Sequence, residues 1–434
     1  MTHKTIRVGG LTRVEGEGAL LVRARDGQIT DLQLKIYEPP RFFEALLRGR
    51  AFTEPPDLTA RICGICPVAY QMSACQALES ICGVTVEGPL RDLRLLLYYG
   101  EWIESHALHV YLLHAPDFLG HPSGVALAAA HRPLVERGLA VKKAGNELVA
   151  AVGGRAIHPV NVRLGGFYRV PSREELAPVA ARLRQALDAA LATVEWVSGF
   201  DFPDVEHDYR FLALRHPTEY AILSGEVAVS DGTSFPVEDW PRHVAEEQVP
   251  YSTALHARLD GRPGYLTGPL ARYALNAPLL SPLAARAAAG AGLGRVCRNP
   301  FRSIVVRAVE LVHACEQALA LIDRYVPPER AASPVTARAG VGHGASEAPR
   351  GTLYHRYRID DGGLVTEADI VPPTAQNQAR IEADLRALVE PRLDLPVARL
   401  TELCERAIRN HDPCISCSAH FLDLRITHDQ AGHP

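Results

Sequence analysis

The chain has 434 residues, of which 47% are hydrophobic and 22% are charged, and its formal net charge at pH 7 is −4. This composition is typical of a globular protein with a large core and excludes a fibrous or intrinsically disordered chain. The small net charge gives no reason to expect a nucleic-acid partner. The sequence contains no apolar segment long enough to span a bilayer and no apolar signal core at its start, so we expect a cytoplasmic protein.

Strand patterns come first along the chain. Alternating polar and apolar residues run through 5–37, with a turn at Asp26 and Gly27 between two of the runs. Helical periodicity dominates afterwards, and Ser172 with Glu175 forms a capping-box signature. The predicted helices cover residues 67–82, 89–115, 132–152, 173–197, 301–326, 375–390 and 397–409.

Two further β regions are predicted, one near 210–230 and a hairpin at 352–371 that turns at 361–363. No linker rich in Pro, Ser or Gly divides the chain, so we expect residues 1–434 to form one domain. The predicted fold class is α+β and predominantly α, with a central helix bundle and small peripheral β-sheets.

Two Cys-x-x-Cys pairs lie at opposite ends of the chain. Cys63 and Cys66 occur in R-I-C-G-I-C-P, and Cys414 and Cys417 occur in D-P-C-I-S-C-S-A-H. Thiolate is a preferred ligand of nickel, iron and zinc, and the two-residue gap lets both sulfurs of a pair reach one metal. The odd total of nine cysteines also favours metal binding over a disulfide framework. The other five, expected to be small core residues, are Cys75, Cys82, Cys297, Cys315 and Cys404.

The residues alone leave several readings of the pairs open. A structural zinc site usually closes a loop with about 15–20 residues between its pairs, which is far shorter than the separation here. A thioredoxin-like dithiol needs a βαβ setting that neither pair has. The ligands of an iron–sulfur cluster also tend to cluster in sequence. A soft-metal site closed from both ends of the chain is the prediction that remains.

Five motifs are distributed along nearly the whole chain. They are R-V-E-G-E at 13–17, R-F-F-E-A-L-L-R-G-R at 41–50, R-I-C-G-I-C-P-V at 61–68, E-A-P-R-G at 347–351 and D-P-C-I-S-C-S-A-H at 412–420. Together they resemble the motifs of the large, catalytic subunit of nickel–iron ([NiFe]) hydrogenases. The details E-P-P-R-F-F-E, C-P-V-A-Y-Q-M and I-V-P-P-T-A-Q-N-Q are most similar to the cytoplasmic bidirectional branch, the sulfhydrogenase or NADP-linked hydrogenase α subunits.

The resemblance implies a nickel held by four cysteine sulfurs and an iron that carries CO and cyanide. Cys63 and Cys414 would be terminal ligands of nickel, and Cys66 and Cys417 would bridge nickel and iron. The implied reaction is the reversible heterolytic cleavage of H2, which needs a metal to take the hydride and a base to take the proton. By the same resemblance, Cys414 is the first proton acceptor.

The resemblance also assigns residues around the metals. Glu15 would relay the proton, although an acid on an early strand is by default a solvated surface residue. Arg350, otherwise interpretable as a surface turn residue, would overhang the metal pair with a fixed charge. Asp117 and Asp412 would complete this canopy with Pro349. Asp412 also has a simpler interpretation as a turn residue before proline.

A magnesium site and a contact to cyanide are implied as well. Glu44, His420 and the backbone carbonyl of Ile370 would hold the magnesium ion, with waters in its remaining positions. Ile370 is preferred to Asp369 because Thr374 then matches the hydroxyl residue that donates a hydrogen bond to an iron-bound cyanide.

The sequence departs from the periplasmic pattern of the family at two positions. Tyr70 and Glu17 both stand where a histidine is often found. This leaves open the hydrogen bond to the Cys66 sulfur and any inherited oxygen tolerance. The remaining conspicuous histidines, which we expect to pack in the core or face a subunit interface, are His106, His109 and His114.

Electron transfer requires partners, because the sequence has no cysteine-rich cluster motif and no dinucleotide-binding G-x-G-x-x-G after a strand. The resemblance implies a small subunit with iron–sulfur clusters, and flavin and iron–sulfur subunits that reach NAD(P) or polysulfide, NADP being the expected acceptor. A maturation endopeptidase and chaperone are also implied, and cleavage after His420 would make 421–434 a propeptide. The alternatives are a hydrogenase-like scaffold subunit without H2 activity and a zinc-binding structural protein.

Overall fold

A computed structural model of the chain describes residues 3–38 and 42–419. The chain begins with an antiparallel sheet in the order β1 (His3–Val8), β2 (Gly18–Arg25) and β3 (Gln28–Ile36). Asp26 and Gly27 make the predicted turn between β2 and β3, and both have positive φ. One face of the sheet is buried, as the alternation of its residues predicts.

Helices make up about half of the described residues. The α-helices are α1 (Phe43–Leu47), α2 (Pro55–Thr59), α3 (Pro67–Cys82), α4 (Gly88–Leu108), α5 (Ala115–Phe118), α6 (Gly124–Ala130), α7 (Arg132–Gly153), α8 (Arg173–Ser198), α9 (Trp240–His243), α10 (Pro269–Asn276), α11 (Pro282–Gly290), α12 (Ser303–Arg324), α13 (Pro373–Val389), α14 (Val397–Arg409) and α15 (Ile415–Ser418). A π-helical turn at His109–His114 joins α4 to α5.

Four long helices, α4, α7, α8 and α12, pack together as a central bundle. Helix α12 is buried over most of its circumference, which is the pattern of a helix at the centre of a bundle. Helix α8 begins at the predicted capping box, in which Ser172 and Glu175 each bond the backbone of the other. The main hydrophobic core fills this bundle and continues to the four cysteines of the two pairs.

The later strands form small antiparallel sheets around the bundle. They are β4 (Val162–Arg163), β5 (Gly166–Phe167), β6 (Leu212–Arg215), β7 (Glu226–Val229), β8 (Ser234–Phe235), β9 (Val244–Glu247), β10 (His256–Leu259), β11 (Arg262–Pro263), β12 (Gly340–Ala348), β13 (Gly351–Ile359) and β14 (Val365–Val371). The sheet β12–β13–β14 packs against α3 through β12 and β13. The predicted turn at 361–363 connects β13 to β14.

The structure confirms the predicted fold class and all seven predicted helical segments. Strand β12 and helices α10 and α11 were not predicted. The sequence of β12 begins G-V-G-H-G, which has low β propensity, and the strand forms because it is covered by α3 and paired with β13. Within the described part of the chain, no helix is long and apolar enough to cross a membrane.

The fold brings distant segments of the chain to one place. Glu15, between β1 and β2, forms an isolated parallel bridge with Cys414. Helix α3 begins directly after Cys66, and Arg350 lies in the tight turn from β12 to β13. Thr374 lies in the first turn of α13. Residues from the start, middle and end of the chain therefore surround a single position in the core.

Candidate metal centre

Four cysteine sulfurs meet in the core, two from each end of the chain. The Sγ atoms of Cys63, Cys66, Cys414 and Cys417 all lie within 4.8 Å of one another. Cys63 Sγ is 3.5 Å from Cys414 Sγ, and Cys66 Sγ is 3.8 Å from Cys417 Sγ. All nine cysteines are free thiols, so no disulfide competes for these sulfurs. The structure thus brings together the two pairs that the sequence analysis assigned to one site.

Local structure fixes the first pair. Cys63 is extended and follows a short 3-10 helix, and Cys66 is the N-cap of α3, with Pro67 at its first position. The backbone N–H groups of Ile65 and Cys66 both donate to Cys63 Sγ at 3.3 Å. Two donors stabilise negative charge on this sulfur, as a thiolate ligand requires.

The second pair is held by contacts with three other segments. Asp412 has a positive φ of 51°, which turns the chain from α14 into Pro413 and Cys414. The Cys414 N–H donates to Thr374 Oγ1 at 3.0 Å, and the Ile415 N–H donates to the Glu15 carbonyl at 2.9 Å. Cys414 is therefore positioned by residues near both ends of the chain.

Burial and charge show that the site suits a cation. The four cysteines are between 1% and 7% exposed. Burial raises the pKa of Cys414 and Cys417, whereas hydrogen bonds from Cys414, Cys417 and Cys66 lower the pKa of Cys63. Four thiolates cannot coexist in such a place without a positive ion between them.

The donor atoms fit a soft metal. Sulfur ligands about 2.3 Å from a tetrahedral metal lie about 3.8 Å apart, which is close to the 3.5 and 3.8 Å across the two pairs. Cys414 Sγ and Cys417 Sγ are 2.6 Å apart, so these two sulfurs would have to separate to bind one ion. An all-sulfur donor set suits nickel, iron or zinc and does not suit magnesium or calcium. The residues present therefore fit the nickel–iron pair that the resemblance implies.

Glu15 contacts the sulfur cluster directly. Its Oε2 accepts a hydrogen bond from Cys414 Sγ at 3.1 Å and another from the N–H of Ser416 at 3.1 Å. The side chain is half-buried, so it lies between the core and the solvent. This contact is what a proton acceptor next to a thiol requires.

Arg350 and Asp412 form a buried pair beside the cysteines. Arg350 Nε donates to the Asp412 carbonyl at 2.9 Å, and its Nη2 lies 3.3 Å from Asp412 Oδ1. Burial disfavours the charge of Arg350, but Asp412 and the cysteine sulfurs outweigh this effect and raise the pKa of Arg350. Its Nη1 is buried without a hydrogen-bond partner among the described residues. A permanently charged donor is thus held next to the sulfur cluster.

Asp117 and Pro349 are held by arginines other than Arg350. Asp117 binds Arg409 through both carboxylate oxygens at 2.7 Å and also pairs with Arg13 at 2.5 Å. Burial raises the pKa of Asp117, but its bonds to Arg409 outweigh this and lower it. The Pro349 carbonyl accepts from Arg272 at 2.9 Å. Asp117 therefore braces α14, which leads to Asp412, while Pro349 anchors the turn that carries Arg350.

Glu44 and Ile370 line a cavity of about 20 Å³ next to the cysteine site, together with Cys417 and Ala419. The Ile370 N–H donates to Glu44 Oε1 at 2.8 Å. A cavity of this size accommodates about one water or ion. His420, the third predicted magnesium ligand, lies outside the described residues, as do residues 421–434.

Tyr70 lies in the first turns of α3 and is buried. Its ring centroid is 5.7 Å from that of His355, a fully buried histidine on β13. Burial lowers the pKa of His355 to about 3, so this imidazole is neutral. Glu17, the second departure from the family pattern, is exposed, and its N–H donates to Glu38.

The conspicuous histidines pack in the core. His106, His109 and His114 are at most 1% exposed, and burial lowers the pKa of each. The five cysteines outside the site are likewise buried, and burial raises the pKa of Cys75 and Cys404 to about 12. These side chains are structural residues, as the sequence analysis expected of the cysteines.

A buried ionic network behind Pro349 was missed by the sequence analysis. Arg272 on α10 pairs with Glu310 on α12 at 2.7 Å and with Glu347 on β12 at 3.2 Å. All three residues are 0% exposed. Arg272 also donates to the carbonyls of Ala348 and Pro349. A charged residue inside an apolar helical pattern, as Glu310 is, was the signal in the sequence that could have found this network.

Comparison with known proteins agrees with the geometry. Residues 41–133 and 274–420 match the family model described as nickel-dependent hydrogenase. The chain is 34% identical to sulfhydrogenase 1 subunit alpha of Pyrococcus furiosus, over 96% of this chain and 98% of that one. It is 27% identical to the NAD-reducing hydrogenase HoxS subunit beta of Cupriavidus necator, over 97% and 96% of the two chains.

Solved structures show the same architecture. An NAD+-reducing nickel–iron hydrogenase in its H2-reduced state superposes with a TM-score of 0.88 at 27% identity, covering 96% of this chain and 99% of that one. The nickel–iron–selenium hydrogenase of Desulfomicrobium baculatum gives a TM-score of 0.76 at 22% identity, covering 96% and 100% of the chains. At that lower identity the likeness establishes the fold alone.

Proposed function

The chain belongs to the nickel-dependent hydrogenase family as a catalytic large subunit, and from this premise we propose that it splits H2 reversibly and passes the electrons to NADP through partner subunits. The observation that carries the proposal is the cluster of four buried thiols from both ends of the chain. Nickel and iron, when bound, supply the Lewis-acid and redox chemistry of H2 cleavage.

Cys414 and Glu15 handle the proton in this proposal. Cys414 Sγ already donates to Glu15 Oε2, so a proton that reaches this sulfur has a carboxylate acceptor 3.1 Å away. The Ser416 N–H on the same oxygen orients the carboxylate toward Cys414. Because Glu15 is half-buried, the proton leaves the core with this one transfer.

In this proposal, Arg350 and Asp412 supply a fixed positive charge beside the cysteines. The two hydrogen bonds to Asp412 hold the guanidinium in place, so its charge is fixed before any substrate arrives. The free Nη1 donor gives Arg350 a hydrogen bond to offer to a small ligand at the metals. In this proposal Asp117 acts through Arg409 and α14, as a positioning residue for Asp412.

The remaining ligands follow from the family and from the local geometry. We assign CO and cyanide to the iron, with Thr374 as the hydroxyl residue near a cyanide. Its Oγ1 accepts from the Cys414 N–H, which directs the Thr374 O–H away from that backbone amide. The cavity beside Glu44 and Ile370 is the proposed magnesium site, with His420 as its third protein ligand.

Partners and location are proposed on the same basis. The relatives include a sulfhydrogenase α subunit and a subunit of an NAD-reducing hydrogenase. We assign a small subunit with iron–sulfur clusters and a flavin and iron–sulfur unit as the electron route, with NAD or polysulfide as other acceptors. Nine free thiols suit the reducing cytoplasm.

Maturation is the last part of the proposal. The segment from Cys414 to Ala419 is buried, and Ala419 bridges to Ala254. Metals must therefore be loaded before this segment closes, and a chaperone and an endopeptidase that removes 421–434 would separate the two events. Residues 1–420 would then form one domain, and segments near both ends of the chain would enclose its metal site.

Purification of the complex under anaerobic conditions tests the function. We expect nickel and iron in equal amounts, infrared bands of iron-bound CO and cyanide, and H2-dependent reduction of NADP. Metal-free protein without H2 activity would support a scaffold role instead. Zinc alone would indicate a structural site, and either result would contradict the proposal.

A further inference from the structure

One buried arginine holds the turn that carries Arg350. Pro349 and Arg350 form the two-residue turn between β12 and β13, in which Ala348 pairs with Gly351. Arg272, on α10, donates from Nη1 to the Ala348 carbonyl at 2.8 Å and from Nη2 to the Pro349 carbonyl at 2.9 Å. These carbonyls belong to the two residues just before Arg350. The position of the Arg350 backbone therefore depends on that of the Arg272 guanidinium.

The guanidinium of Arg272 is itself fixed. Its Nε and Nη2 donate to the two carboxylate oxygens of Glu310 on α12, both at 2.7 Å, and its Nη1 also donates to Glu347 Oε2 at 3.2 Å. Together with the two carbonyls, these bonds give each of the five N–H groups a partner. The Cζ atom lies 4.4 Å from the ring centroid of Trp102. Arg272 thus links the central bundle, through Glu310, to the turn of Arg350.

The turn also lies in close contact with the start of α10. Gly268, the N-cap of α10, has a φ of 117°, and a Cβ there would be 2.8 Å from the Arg350 carbonyl oxygen. Gly351 has a φ of 138°, and a Cβ there would be 2.9 Å from the Gly268 nitrogen. The two glycines let the backbone of the turn lie directly against the helix that carries Arg272. One helix therefore supplies both the close contact and the hydrogen bonds.

We propose that Arg272 is a positioning residue for Arg350 and fixes where the Arg350 guanidinium lies beside the metal centre. The inference rests on the proposed H2 cleavage and adds a residue that acts on it through Arg350. Arg350 donates to Asp412 through Nε and Nη2, which leaves Nη1 as the donor offered to a small ligand at the metals. Because a misplacement of about 1 Å can cost about a hundredfold in rate, the backbone that carries this donor has to be held firmly.

The role requires an arginine and not only a positive charge at position 272. A lysine keeps the charge that Glu310 and Glu347 surround, so the buried cluster stays balanced and the fold is retained. It has three donors on one nitrogen, however, and cannot replace a planar fork of five. Arg272→Lys should therefore keep an ion pair with Glu310 and release at least one carbonyl of the turn.

Arg272→Lys in the intact complex tests the proposal. We expect nickel and iron content to be unchanged and kcat for H2 oxidation, measured per nickel, to fall about tenfold. Arg94→Lys is the matched control. Arg94 is 3% exposed, donates to both carboxylate oxygens of Glu79 at 2.6 and 2.7 Å, and also donates to the Arg163 carbonyl at 3.2 Å. This variant should lose a similar amount of thermal stability and keep the kcat of the unmodified enzyme.

A double-mutant cycle separates positioning from a general weakening of the fold. Arg350→Lys alone should lower kcat about a hundredfold. Adding Arg272→Lys to it should lower kcat further by less than about threefold, because Arg272 acts through Arg350. If Arg272→Lys does not assemble, Glu310→Gln takes its place in the cycle, since it weakens the hold on Arg272; alone it should lower kcat at least about threefold.

Three results would overturn the positioning role. They are an unchanged kcat in the variant used, a further tenfold loss when it is combined with Arg350→Lys, and an equal loss of kcat in Arg94→Lys. An unmodified complex that does not oxidise H2 would overturn the proposed function itself. An active unmodified complex with any of the three results would leave the proposed function standing without this role for Arg272.

Discussion

At the scale of single residues, the contact between Glu15 and Cys414 makes a direct prediction. Glu15→Gln keeps the shape of the side chain but cannot accept a proton, so the D2/H2O exchange rate should fall about a hundredfold or more. Nickel and iron content should not change, because Glu15 contacts the sulfur and is not a metal ligand in the proposal.

Glu382→Gln is the control for this substitution. Glu382 is a half-buried carboxylate that accepts from the Leu34 N–H and the Tyr251 hydroxyl, remote from Cys414. Its exchange rate should equal that of the unmodified enzyme. Near-normal exchange in Glu15→Gln would mean that the proton leaves Cys414 by another group.

The bridging role proposed for Cys417 gives a second prediction. Cys417→Ala should lose nickel and iron together, because in the proposal this sulfur binds both ions and each ion would lose a ligand. Elemental analysis of the purified variant measures this. Cys75→Ala removes an equally buried thiol that lies outside the site and should keep both metals. Stoichiometric nickel in Cys417→Ala would contradict the assignment.

Two buried histidines predict a pH dependence of stability. Burial lowers the pKa of His313 from 6.5 to about 4 and that of His355 to about 3. Between these values and pH 6.5 the unfolded chain binds protons that the folded chain does not, so stability is complete above pH 6.5 and falls as the pH decreases. Each histidine should lower the free energy of unfolding by roughly 3 kcal/mol at pH 4 relative to pH 7.

Denaturant unfolding at pH 7, 6 and 5 measures this slope. His355→Gln should flatten it, because the substituted side chain does not titrate. The exposed His131 is the control, and His131→Gln should leave the slope unchanged. A free energy of unfolding that is constant from pH 7 to pH 5 would contradict the prediction.

At the scale of elements, the packing of β12 on α3 places Arg350 relative to Cys66, since the strand leads into the turn of Arg350 and the helix begins after Cys66. A Cβ at Gly344 would be 2.3 Å from the Ser73 carbonyl oxygen and 2.8 Å from the Ala77 nitrogen. Gly344→Ala should therefore push the strand away from the helix, at a cost of about 1–3 kcal/mol of stability.

Calorimetry and H2 oxidation assays check the effect of Gly344→Ala, and both the melting temperature and the activity should fall. Gly290→Ala is the control, because no atom lies within 4 Å of the added methyl group at the end of α11. That substitution should leave stability unchanged or raise it by up to about 1 kcal/mol. Equal melting temperatures for the two variants would show that β12 does not pack tightly on α3.

Elements with a strong internal pattern could be predicted from the sequence. Helix α8 has an apolar stripe and a capping box, and its predicted bounds of 173–197 differ by one residue from the observed Arg173–Ser198. Strand β12 lacks such a pattern, and it is stabilised by pairing with β13 and by packing on α3, which is distant in sequence. Helices α10 and α11 are short, and their patterns span too few turns to be recognised.

At the scale of the whole molecule, the local motifs of the site could be predicted, whereas contacts between distant segments could not. The cysteine pairs could be predicted because each pair is a local motif, and the resemblance placed the residues around them. The partners of Asp117 and the contact of Ser416 with Glu38 could not be predicted, since each joins residues far apart in sequence. Asp117 was expected beside Arg350, and the structure places it against Arg13 and Arg409.

The proposed propeptide predicts the mass of the active subunit. Mass spectrometry of the active complex should find a large subunit that ends at His420, whereas chains isolated without nickel should extend to Pro434. The control is a gene with a stop codon after His420, because its product ends at His420 without cleavage by the endopeptidase. Full activity in a subunit that still carries 421–434 would contradict the proposal.

The backbone bridge between Glu15 and Cys414 has a consequence for how the protein is made. A ribosome adds roughly 5–20 residues per second, so the segment between β1 and β2 that holds Glu15 waits roughly 20 to 80 seconds until Cys414 is synthesised. A chain truncated anywhere before Cys414 lacks two of the four sulfurs and cannot close the site. A bound metal pair would thus show that translation had passed Cys417, because a fragment released by the ribosome before that residue lacks at least one of the four sulfurs, however well its helices have folded.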